Sequence, residues 1–151
     1  MTNNSKKNTI PNHTIRRRWG LILTALGFLF FVIAAKPGFF HVELSKQVIG
    51  YLQVSGFSIA LGIICLGGTI ALNTLWSEGN KSIAADLGLR VAWTGFTIAF
   101  ISGMADIFGL GTRPFTEAIP FYGYWQGRGV LLGEIVIVIG FLMMIPWKKK
   151  N

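Results

Sequence analysis

The stretch "WGLILTALGFLFFVIAA", Trp19 to Ala35, runs without a single charge. A helix that crosses a bilayer needs roughly 20 mainly apolar residues, within about 17–25, since its backbone groups must be hydrogen-bonded inside the segment. This stretch meets that requirement, is entered from Arg16, Arg17 and Arg18, and is left through "KPG" from Lys36. Three more runs read the same way: Val48 to Trp76, Leu87 to Leu110, and Gly129 to Trp147, the last closed by Lys148, Lys149 and Lys150. Pro37, Pro114, Pro120 and Pro146 lie outside these runs or at their ends, where they break no helix near its centre. The expected fold is an all-α integral membrane protein, a bundle of four transmembrane helices at 19–35, 48–76, 87–110 and 129–147. A polar, basic and disordered tail (1–18) precedes it, and a short basic tail (148–151) follows.

Composition agrees. Of 151 residues, 52% are hydrophobic and 13% charged, against roughly 25% charged in soluble domains. The basic excess, 14 Lys and Arg against 6 Asp and Glu, sits at the edges of the apolar runs. That is the pattern of membrane orientation and anionic-lipid contact, and not of a nucleic-acid partner. With both termini inside, ten basic residues lie on the inner side and four (Lys36, Lys46, Arg113, Arg128) on the outer side. The bias gives an N-in, C-in orientation, which Trp19, Trp76 and Trp147 at the inner boundary support. The first run exceeds the 7–15 residues of a signal-peptide core and no clean A-x-A follows, so it is read as retained. A cell membrane, inner or plasma, is the expected location. Cys65 is the one cysteine, so no intramolecular disulfide is available.

Small residues mark the packing faces. Gly88, Ala92, Gly95, Ala99 and Gly103 follow one side of the third helix and end at Asp106; Gln53, Gly56, Ala60, Gly67 and Ala71 do so in the second. The first helix offers Gly20, Thr24, Gly27 and Ala34. Gln53, Asp106 and Glu134 each lie about four to six residues inside the expected outer boundary, roughly 6–9 Å deep at 1.5 Å per residue. They form a candidate intramembrane polar cluster, with Arg113 and Arg128 in the adjoining loop as partners. One reading is a hydrogen-bond cluster that sets helix geometry. The other is a proton- or cation-binding site, since intramembrane carboxylates are functional candidates. Arg90, four residues after Asp86, reads as an anchor that pairs with it or snorkels.

The outer loop, 111–129, carries Phe115, Phe121, Tyr122, Tyr124 and Trp125, an interfacial belt or a lid over the polar cluster. The second loop carries a helix cap at Ser82. His13 and His41 are the only histidines and neither lies in a run, which removes haem held by paired membrane histidines. There is no H-E-x-x-H, no cysteine pair for zinc and no G-x-S-x-G. His41 and Glu43 are too scattered from Asp106 and Glu134 to read as a metal site. No cofactor is expected. Two functions from different classes remain: a non-catalytic accessory, assembly or scaffold subunit packing through Gly/Ala faces, or a small oligomeric proton- or cation-coupled transporter. The partners expected are the bilayer and either a membrane protein or further copies of this chain. An enzyme acting on lipid ranks behind both, because no nucleophile is joined to a base.

Overall fold

A computed structural model describes residues 12–35, 49–76, 81–110 and 124–146. They form four α-helices: α1 (Asn12–Ala35), α2 (Ile49–Asn73), α3 (Ile83–Gly103) and α4 (Tyr124–Met144). All four are long and apolar enough to cross a membrane.

Their ends depart from the apolar runs. α1 begins at Asn12, so residues 12–18 of the expected disordered tail are helical; arginine is a good helix former and no breaker lies between Pro11 and Trp19. α3 begins at Ile83, four residues early, because Ser82 caps it: its hydroxyl accepts from the Ala84 N–H at 3.3 Å. α3 also ends early, at Gly103, although the sequence stays apolar to Leu110. Residues 104–109 make one closing turn, in which Leu110 N–H donates to the Ala105 carbonyl and Gly109 N–H to the Asp106 carbonyl. Gly109 has φ of 71°, the left-handed residue that such a helix stop requires. α4 starts at Tyr124, five residues before the expected Gly129, and ends at Met144. The terminal segments 1–11 and 147–151 lie outside the described residues.

The helices pair into two antiparallel hairpins, α1 with α2 and α3 with α4. In each, small residues let the backbones meet. A Cβ at Gly67 would lie 2.5 Å from the Thr24 nitrogen, and one at Gly140 would lie 2.5 Å from the Ala92 nitrogen. The two hairpins use one set of relations. Gly20 meets Ala71, Gly67 meets the Gly20 carbonyl and Thr24, and Gly27 meets Ile64. Likewise Gly88 meets Met144, Gly140 meets the Gly88 carbonyl and Ala92, and Gly95 meets Ile137. Every contact maps onto its twin by one shift along α1 (20 to 88, 27 to 95, both 68) and one along α2 (64 to 137, 67 to 140, 71 to 144, all 73). Glycines seven residues apart (20 and 27, 88 and 95, 133 and 140) set this register, since a seven-residue repeat keeps one seam of a helix against its partner.

The hairpins meet through α2, which packs on α3 and α4; the α1 backbone approaches α2 alone. Gly62 of α2 faces the Phe96 ring, Gly103 of α3 lies against Val54, and Gly68 of α2 faces the Phe141 ring of α4. Leu61, Cys65, Ala99, Val130 and Ile137 form the shared core, ringed by Phe31, Phe57, Phe96 and Phe141. The Trp76 indole N–H donates to the Met144 carbonyl at 2.8 Å, which satisfies one of the free carbonyls at the end of α4. Both ends of the four-helix unit, Asn12 and Met144, therefore lie at the same end as Trp76.

Candidate functional site

The small-residue faces read from the sequence are the internal seams. Ala85, Gly88, Ala92, Gly95, Ala99 and Gly103 are the buried positions of α3, and they face α4 and α2. Gly67 and Ala60 are buried likewise, and Gly56 makes ordinary contact with Ala34. These faces close the chain on itself and are not left open for another helix.

The polar residues do not share one level. Gln53 sits where α1 ends, its side-chain N–H group donating to the Ala35 carbonyl at 3.4 Å, a long bond that ties the two helices. Asp106 lies in the closing turn after α3, partly exposed. Glu134 is elsewhere, because α4 begins five residues earlier than its apolar run. It is the eleventh residue of a 21-residue helix, about 15 Å from either end at 1.5 Å per residue. Gly133 beside it packs between Gly95 and Ala99, which puts Glu134 level with Ala99, seven residues and about 10 Å inward from Asp106.

Glu134 also faces a definite direction. Phe141, seven residues on, shares its side of α4 and packs on Gly68, so Glu134 lies on the flank of α4 turned to α2. It is half-buried, and among the described residues no hydrogen bond or ion pair reaches its carboxyl. Arg128 does not serve it. Six residues away, it lies on another face of α4, with its guanidinium 4.2 Å from the Tyr124 ring centre and 5.6 Å from that of Trp125. Those rings are the exposed first residues of α4, and the contact is a cation–π pair at the helix entrance. Arg113, Phe115, Phe121, Tyr122, His41 and Glu43 lie outside the described residues. Arg90 pairs with Asp86 at 3.2 Å, both exposed, as its spacing implies.

A carboxyl at the middle of a helix long and apolar enough to cross a membrane is the chemically informative feature here. A charged side chain at that depth costs about 2.5–3.5 kcal/mol on insertion scales, so such groups face protein or water and find partners. The early start of α4 was the signal missed in the sequence: "YWQGRG" looks like loop, yet Gly127 and Gly129 are tolerated in apolar helices. Compared with models of protein families, with curated protein sequences and with solved structures, the chain matches none.

Proposed function

We propose that this chain is a non-catalytic accessory or assembly subunit of a larger membrane complex. It crosses a cell membrane four times with both ends in the cytoplasm, the orientation favoured by ten basic residues against four. The observation that carries the reading is Glu134: a carboxyl at mid-span, half-buried, with no basic partner among the described residues. As a charge, a group so placed is costly unless it meets a partner inside the membrane, and a cation on another helix would supply one. α1 adds to this, with 11% of its apolar window buried against 44% for α2. The glycine seams close each hairpin on itself, and the remaining faces are what a partner would meet.

The same carboxyl supports a second reading, a proton- or cation-coupled carrier built from several copies, with Glu134 and not Asp106 as its central group. The native mass of the tagged chain, extracted gently from its own membrane, separates the two. A larger partner in fixed ratio is the expected result. A pure homo-oligomer whose proton flux disappears in Glu134→Gln would replace the first reading by the second.

A further inference from the structure

The two hairpins are equivalent, yet the contacts between them are lopsided. Phe96 of α3 closes on Gly62 of α2. By the shifts that relate the hairpins, the twin of Phe96 is Phe28 on α1 and the twin of Gly62 is Ile135 on α4. These two do not meet: Phe28 is 60% exposed, Ile135 is 53% exposed, and the backbones of α1 and α4 do not approach. A seam that is shut between α2 and α3 is open between α1 and α4. Leu131 and Val138, also exposed, continue its α4 wall. Glu134 lies on the α2 side of that wall, at its midpoint.

We propose that this open seam receives one transmembrane helix from another protein, carrying a lysine or arginine at mid-span to pair with Glu134. The proposal rests on the subunit reading and names the partner's chemistry. Charge decides the occupant. A lipid chain fills an apolar seam but offers no donor, and head groups stay at the interface, about 15 Å from the centre of a 30 Å hydrocarbon layer. A second copy brings no cation to this depth among its described residues. Arg16, Arg17 and Arg18 stand in the first turns of α1, and Lys81 precedes α3. Arg90, two residues past the Gly88 that packs on Gly140 and Met144, is level with the last turns of α4 and paired with Asp86, and Arg128 lies on Tyr124 and Trp125 at the entrance of α4. A foreign helix with a central cation meets both the apolar wall and the carboxyl.

The test uses the full chain in its own membrane, co-expressed with a Leu/Ala model helix bearing one central lysine or, as control, leucine there. Recovery with the chain after gentle extraction is the readout. The lysine helix is expected at about tenfold over the control, a modest 1.4 kcal/mol. That preference should vanish in Glu134→Gln and survive in Glu134→Asp. Ile135→Trp, which fills the seam and keeps the carboxyl, should lower recovery of both helices. Equal recovery of the two helices, a preference that persists in Glu134→Gln, or Glu134-dependent pairing of two copies instead would overturn the proposal. A native partner that stays bound to Glu134→Gln would sink the seam while leaving the subunit reading in place. Model-helix binding as expected, with no native partner at all, would sink the subunit reading alone.

Discussion

Replacing Gly133 by alanine adds one methyl group where two backbones touch. The new Cβ would lie 2.5 Å from the Ala99 nitrogen, 2.6 Å from the Gly95 carbonyl oxygen and 2.7 Å from the Ala99 Cβ. Ordinary contact begins at 3.4 Å, so α3 and α4 must part by about 0.9 Å (3.4 minus 2.5). No rotamer relieves this, because two of the three neighbours are main-chain atoms. A gap of 0.5–1 Å forfeits about a quarter to a half of the dispersion well along the seam, and overpacking of this kind costs about 1–3 kcal/mol. Against it stands the gain from replacing a helical glycine, roughly 0.5–1 kcal/mol. The net expectation is a loss of about 1–2 kcal/mol, near tenfold in the folded-to-unfolded ratio. Gly56→Ala is the control: its nearest neighbour, the Ala34 Cβ, is 3.8 Å away, so only the gain remains. Reversible unfolding in mixed micelles, followed by tryptophan fluorescence, gives both numbers. The close-packing account fails if Gly133→Ala is as stable as the parent, or if the two substitutions shift stability in the same direction.

The equivalence of the hairpins predicts that Gly67→Ala and Gly140→Ala weaken the fold alike, each by about 1–2 kcal/mol. The same titration checks it, and a twofold disparity between the single variants would count against equivalent packing. Trp76→Phe keeps an aromatic ring, though a smaller one, and removes the donor to the Met144 carbonyl, and should cost at least about 1 kcal/mol. No measurable change would show that the bond does not hold the ends of α2 and α4 together.

The helices and their seams were legible in the sequence because both rest on strong periodic signals. An uncharged run long enough to span a bilayer has few other readings, and the steps from Gly88 to Gly103 survive as the buried face of α3. Helix ends were not legible, because in apolar sequence the hydrophobic run and the helix stop for different reasons. "MADIFGLG" stays apolar past Gly103, but the helix gives way there to a closing turn that holds Asp106 and stops at Gly109 in a left-handed conformation. At the far end of the same connection, Tyr124 and Trp125 read as interfacial aromatics, while the helix already includes them. That five-residue extension moves Glu134 from the first third of its apolar run to the middle of its helix. The twin hairpins show in the sequence only as glycines seven residues apart, and a stripe on one helix does not fix which helix it packs against.

The depth of residue 134 is the most direct test of this account. A spin label on Glu134→Cys, in a Cys65→Ala background reconstituted into bilayers, reports depth through its relative accessibility to oxygen and to a water-soluble nickel chelate. The structure predicts a label near the bilayer centre, about 15 Å below the interface, with a label on Asp106→Cys close to the surface. A label at 134 as shallow as the one at 106 would contradict a mid-membrane carboxyl and the partner helix built on it.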